Sequence, residues 1–181
     1  MKITPTAISG VLLIEPRVFG DERGYFFESF NARAFAEATG ITAKFVQDNH
    51  SRSVRNTLRG LHYQIQQSQG KLVRAVAGEI FDVVVDLRRN SPSFGKWLGH
   101  RLSAENKTMV WIPPGFAHGF AVLSDYADFL YKTTDYWAPQ HERTLLWNDP
   151  ALAIAWPLAG EPILAARDRE GKRLAEAEVF D

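Results

Sequence analysis

Residues 111–120 read WIPPGFAHGF and lie between two runs of apolar and β-branched residues, TMVWI at 108–112 and GFAVL at 119–123. Runs of about one strand's length, divided by a Pro-Pro-Gly turn signal, predict β-structure here. The pattern continues on both sides, with LVRAV at 72–76, IFDVVVDL at 80–87 and DFLYKTTDYW at 128–137. Turn signals at Ala77-Gly78-Glu79, Asn90-Ser91-Pro92 and Asn148-Asp149-Pro150 punctuate them. Many short strands with little helix predict a sandwich or small barrel. The most helix-like segment is 30–40: Asn31 is a cap, four alanines favour helix, Phe30 and Phe35 suit a hydrophobic staple, and Gly40 suits the C′ position. From about residue 158 the chain returns to a polar composition compatible with helix.

A chain of 181 residues predicts one domain spanning 1–181, with the segment from about 158 packed on it. Lys+Arg and Asp+Glu are each 21, so no global field draws in nucleic acid or a membrane surface, and anion binding has to be local. The absence of cysteine excludes disulfides, thiolate catalysis and Cys-ligated metal. The N-terminus lacks the long apolar core of a secretory signal, and no run reaches the roughly 18 residues that span a bilayer. A cytoplasmic protein is expected.

The segment LRGLHYQ at 58–64 places an arginine three residues before a histidine in a strand-like run. Regular alternation puts Gly60, His62 and Gln64 on one face and Arg59, Leu61 and Tyr63 on the other. Arg59 and His62 share a site only if Gly60 marks a bulge or bend. His62 by itself reads as a structural histidine or as a base. The runs FGDERG at 19–24 and QDNHS at 47–51 read as solvated turns, and Lys71 reads as a surface lysine at a strand start. Tyr131 reads as packing or as a phenol that keeps its proton at neutral pH, and Asp168 as a tail charge or as the partner of a histidine.

Pro113-x-Gly115-x-x-His118 resembles the core of the second motif of the cupin superfamily, where that histidine usually binds metal. The surroundings depart from the metal-binding pattern. Tyr63 and Gln64 follow His62 where a second histidine is needed, no glutamate follows within a few residues, and Val122 replaces a common asparagine. Two histidines do not make a secure transition-metal site, so no metal is expected and His118 is read as a hydrogen-bond or charge contact.

Taken together, FGDERGYFFE, FVQDNHS, LRGLHYQ, QGKLVRAVAGEIFDVVVDLR, SPSFGKW, LSAENK, WIPPGFAHGF, FLYKTTDYW, LLWNDP, IAWP and AARD resemble the dTDP-4-dehydrorhamnose 3,5-epimerase (RmlC) family, in order and approximate spacing, from about residue 14 to 168. The resemblance implies a mainly β, cupin-type double-stranded β-helix (jelly roll) with a few short helices. It also implies a homodimer that exchanges N-terminal strand segments and shares its active sites, and no cofactor. The implied reaction inverts C3 and C5 of dTDP-4-dehydro-6-deoxy-D-glucose to give dTDP-4-dehydro-β-L-rhamnose. His62 resembles the base, Asp168 the carboxylate that orients it, Tyr131 the acid on the opposite face, and Lys71 the cation at the C4 oxygen. Arg23, Glu28, Gln47, Asn49, Arg59, His118, Trp137, Glu142 and Arg167 resemble contacts to the nucleotide sugar, with Arg23 and Glu28 supplied by the partner subunit. Two departures stand out: Trp137 replaces a common tyrosine, and Arg167 a frequent lysine. The rival readings are a 3- or 5-epimerase of another deoxysugar pathway, a non-catalytic sugar-binding cupin and a metal-dependent cupin oxygenase.

Overall fold

The computed structural model describes residues 1–181. The expected jelly roll is present: two antiparallel sheets face one another, and strands distant in sequence pair within each. In chain order the strands are β1 (Lys2–Pro5), β2 (Leu12–Glu15), β3 (Phe19–Asp21), β4 (Gly24–Phe26), β5 (Gln47–Val54), β6 (Leu58–Gln64), β7 (Lys71–Ala77), β8 (Glu79–Asp86), β9 (Trp97–Ser103), β10 (Met109–Ile112), β11 (Phe116–Val122), β12 (Tyr126–Thr133) and β13 (Glu142–Thr144). One sheet has the order β1-β2-β10-β7-β12-β5, the other β13-β6-β11-β8-β9, and β3 and β4 form a separate hairpin. No helix is long and apolar enough to cross a membrane.

Three apolar layers explain the sequence pattern. Between the sheets lie Val73, Ala75, Ile80, Val84, Leu102, Phe120 and Phe129. The outer face of the five-stranded sheet buries Leu61, Tyr63, Val83 and Val85, covered by Leu152, Trp156, Leu174 and Phe180 from the C-terminal segment. A sheet covered on both faces needs apolar residues at successive positions, which is why β8 reads as a nearly continuous run. The outer face of the other sheet packs Leu72, Met109 and Trp111 against Phe35.

Phe35 belongs to α1 (Ala32–Thr39), which forms as its termini predict. Asn31 Oδ1 accepts from the Ala34 amide at 3.1 Å, and Gly40 closes the helix at φ 73°. The Phe30 and Phe35 rings meet at 6.1 Å, completing the staple. The C-terminal segment departs from expectation: it holds only the four-residue α2 (Ala166–Arg169) and one 3-10 turn, and otherwise runs irregularly over the sheet. Isolated bridges tie it down at Thr57 to Ile163, Leu145 to Lys172 and Arg88 to Phe180.

The Pro113-Pro114-Gly115 turn is braced from below. Gly115 has φ 98°, and a Cβ there would lie 2.7 Å from Arg88 Cγ. Arg88 is held by the fully buried Asp86, which accepts from Arg88 Nε at 2.9 Å and Nη2 at 2.8 Å, and from the hydroxyls of Ser91 at 2.6 Å and Ser93 at 2.7 Å. Burial works to raise the Asp86 carboxyl, but these hydrogen bonds outweigh it and bring it down to about 2 from 3.8. A depressed carboxylate stabilises the fold above its unfolded pKa, and the benefit disappears as pH falls through the folded value. Asp86 therefore contributes about 2 kcal/mol at neutral pH, lost between pH 3.8 and about 2. Urea unfolding midpoints of the wild type should fall steeply across that window, and those of Asp86→Asn should lack this component.

Candidate active site

Strand β6 does not alternate regularly. His62 pairs with His118 of β11 and Arg59 pairs with Phe120, so the two-residue step from His118 to Phe120 is matched by three residues on β6. One extra residue returns positions three apart to the same face. Arg59 and His62 accordingly both line a cavity of about 410 Å³ at one end of the sandwich, with His118 and Phe120 beside them. The bulge depends on glycine on both strands. Gly60 has φ 113°, and a Cβ there would lie 2.7 Å from Gly119 Cα; a Cβ on Gly119 would lie 2.6 Å from the Arg59 carbonyl oxygen.

Two histidines stand side by side on the floor, each tied to a buried carboxylate. His62 Nε2 lies 2.5 Å from Asp168 Oδ1, and His118 Nε2 lies 2.7 Å from Asp82 Oδ2. Asp168 and Asp82 are each 2% exposed, so the imidazoles are their principal polar partners. Asp168 sits behind His62 on α2, outside the cavity lining, and is no tail charge. No group of three or more His, Cys, Asp or Glu side chains is gathered as a metal site.

The facing sheet supplies the opposite wall. Tyr131 of β12 lines the cavity, its ring 5.6 Å from Phe129, whose own ring stacks on His118 at 5.8 Å. Burial pushes the Tyr131 phenol up, helped by Glu142 and opposed by Arg167 and Arg59, so it keeps its proton across the neutral range. Gln47 and Asn49 of β5 join this wall, with Gln47 Nε2 donating to Asn49 Oδ1 at 2.9 Å and Gln47 Oε1 accepting from the Trp137 amide at 3.0 Å. Trp137 stands at the mouth with 57% of its surface exposed.

Charge in the cavity is predominantly positive, although the chain as a whole is neutral. Arg59 makes no ion pair and donates from Nε to Ser53 Oγ at 2.9 Å. Lys71 also lacks a carboxylate within ion-pair distance. Burial pushes its ammonium down to about 8, against the pull of Glu142 and Asp82. Arg167 Nη1 donates to Glu142 Oε2 at 3.0 Å, and its Nε lies 3.9 Å from Asp168.

The surface reading of Lys71 is thus corrected, because the strand start faces the cavity. The turn reading of 47–51 is corrected as well: it belongs to β5, with alternate residues partly buried. Arg23 and Glu28 lie outside this cavity. Arg23 is at the tip of the β3–β4 hairpin, 2.5 Å from Asp21, and Glu28 is exposed and accepts from Asn31. Asp82, the carboxylate behind His118, was missed by sequence reasoning. Its signal is a lone acid inside the apolar run IFDVVVDL. Phe129 was missed too, though it precedes Tyr131 by two residues on the same strand face.

A family model described as dTDP-4-dehydrorhamnose 3,5-epimerase matches residues 5–176. A protein of that name from Pseudomonas aeruginosa is 67% identical over 180 residues, covering 99% of each chain. The crystal structure of dTDP-6-deoxy-D-glucose-3,5-epimerase RmlC from Legionella pneumophila, in complex with dTDP-4-keto-L-rhamnose, superposes with a TM-score of 0.95 at 54% identity, covering 98% of this chain and 94% of that one. Farther off, a dTDP-4-dehydrorhamnose 3-epimerase from Streptomyces niveus is 40% identical over 178 residues, covering 98% of this chain and 86% of its own.

The double-glycine contact makes a direct prediction. Gly60→Ala places a Cβ against backbone on a left-handed residue and should cost about 1–3 kcal/mol, read as a lowered urea midpoint. An unchanged midpoint would mean that the strands separate without penalty.

Proposed function

The chain belongs to the dTDP-4-dehydrorhamnose 3,5-epimerase family, and on that premise we propose that its cavity inverts C3 and C5 of dTDP-4-dehydro-6-deoxy-D-glucose in dTDP-L-rhamnose biosynthesis. The observation that carries the reading is the placement of a carboxylate-backed histidine on one sheet and a protonated tyrosine on the other. Inversion at carbon requires removal of hydrogen from one face and its return to the other. The C4 ketone acidifies the hydrogens on both C3 and C5, so one base serves twice.

His62 takes the proton while Asp168 fixes its ring and stabilises the imidazolium that forms. The electron pair moves into the C4 carbonyl, and the oxygen gains negative charge. Lys71 and His118 meet that charge, helping the transition state more than the neutral ketone. Tyr131 gives its proton to the carbon from the far side. Each inversion leaves the base with one proton more and the acid with one fewer, and exchange with water resets both. Arg59 and Arg167 suit the diphosphate, which needs local cations when no metal neutralises it. Gln47, Asn49, Trp137 and Glu142 contribute polar and stacking contacts to the nucleotide and sugar.

The enzyme works without a cofactor, as one domain, in the cytoplasm and as a homodimer. Phe19, Tyr25 and Phe26 support the dimer, being 50%, 63% and 67% exposed on a hairpin that has no sheet of its own to pack on. Arg23 and Glu28, remote from their own cavity, are then the partner-facing contacts.

In D₂O the L-configured product should carry deuterium at both C3 and C5. Label at one carbon alone would favour the single-position chemistry of the Streptomyces niveus relative, and no label would overturn the mechanism. His62→Ala should cut incorporation by at least about a hundredfold while still binding dTDP. A second prediction concerns pH. The Lys71 ammonium is charged below its value of about 8, so turnover should decline as pH rises through it. Lys71→Arg, which keeps its charge, should move that decline out of range, and an unaltered alkaline limb would remove Lys71 from the oxyanion role.

A further inference from the structure

One inward-facing histidine has no part in the proton transfers described above. His100 of β9 is the register partner of Asp82 on β8. Antiparallel neighbours project from the same face with Cβ atoms about 5 Å apart. Here that face is the inner one, because the flanking pairs Ile80 with Leu102 and Val84 with Leu98 pack in the core between the sheets. His100 Nε2 is buried without a hydrogen-bond partner, alone among the buried side-chain nitrogens and oxygens of the chain. Such orphans are rare enough to demand a reason.

The surrounding charges are few. Asp82 faces His100 from β8, and behind it His118 of β11 binds the same carboxylate at 2.7 Å. From β7 only Lys71 points inward, since Arg74 lies over the Phe27 ring at 5.7 Å on the opposite face. Arg101 and Glu79 pair with each other at 2.9 Å outside the sandwich, and Asp86 is occupied by Arg88. Burial holds the His100 imidazole below its ordinary range, while Asp82 pulls the other way.

We propose that His100 is a positioning residue that acts on His118 through their shared neighbour Asp82. The inference rests on reading the cavity as the epimerase site. With His100 neutral, the Asp82 carboxylate serves His118 alone and holds its ring toward the cavity. A proton on His100 sets a cation against that carboxylate. Asp82 is then divided between two imidazolium or imidazole partners, and the His118 contact to the developing oxyanion weakens. Turnover therefore carries a further acid-side titration, that of His100.

The test is the acid limb of log kcat/KM, measured by deuterium incorporation into the dTDP-4-keto-6-deoxy sugar from about pH 4.5 to 9 in wild type and His100→Gln. The wild-type slope should steepen from about one to about two, whereas His100→Gln, normalised to its own plateau, should stay near one. Superimposable normalised profiles overturn the proposal, and so does a variant that is slower by one factor at every pH. A second measurement avoids any folding defect in the variant: in wild-type protein the ¹⁵N imidazole resonances of His118 should move over the pH range in which His100 titrates. Asp82→Asn should abolish that movement, and a His118 ring indifferent to His100 overturns the coupling. Wild-type protein that incorporates no deuterium at any pH would instead defeat the epimerase reading, and the resonance titration would still decide the role of His100.

Discussion

Two backbones that touch at Gly60 and Gly119 set the geometry on which the cavity depends. A β-strand with strict twofold alternation cannot present residues three apart to the same side, and Arg59 and His62 are three apart. The single extra residue between the two registered pairs resolves the conflict, and it fits only because neither strand carries a Cβ at the contact. Beyond the bulge, regular alternation takes Leu61 and Tyr63 into the outer apolar layer while His62 faces inward. Placement of Arg59 on the same side as His62 therefore follows from one local departure.

Electrostatics then decides what the cavity can hold. A neutral chain has no long-range attraction for an anion, so under the proposed function the hold on an anionic substrate would depend on Arg59, Lys71 and Arg167, which are gathered around a partly enclosed space where screening is weak. The carboxylates nearby are disposed differently. Asp168 and Asp82 are sealed behind the histidines, and Glu142 is occupied by Arg167. Negative charge is thus spent on orienting rings, while Arg59 and Lys71 keep their charge available.

Much of the fold was legible because burial writes itself into apolar patterns. The strands β7, β8, β10, β11 and β12 and the capped helix α1 all announced themselves in that way. Strand β5 did not, because its inward residues Gln47, Asn49 and Ser51 line the cavity and leave QDNHSRSV without an apolar face. Strand β9 was hidden by Gly99, where a Cβ would lie 2.1 Å from Phe81 Cζ, and by the polar His100 in the middle of WLGHRLS. Three-residue β13 is too short to carry a pattern. In the tail, alanines and charges suggested helix, but Leu152, Trp156, Leu174 and Phe180 drew the chain flat across the outer layer. The site followed a similar rule. Single residues such as His62 were ambiguous in isolation, and the family resemblance assembled them; it gave no role to Asp82 or His100, which emerged from the contact to His118 and from strand register.

The sandwich also explains why this architecture suits inversion. A single sheet offers functional groups from one side, and a base alone returns a proton to the face it left. Two sheets facing across a gap present two independent surfaces, each stiffened by its own ladder of backbone hydrogen bonds. Where the gap is filled by Phe120, Phe129 and their neighbours it is core; where β5 turns polar and Phe129 gives way to Tyr131 two residues later, the same gap becomes a cavity. The proposed base His62, rooted in β6, and the proposed acid Tyr131, rooted in β12, stand on opposite walls of the gap that this packing maintains. The separation that inversion would demand of that proposed pair is therefore a property of the core, and it does not have to be supplied by mobile loops.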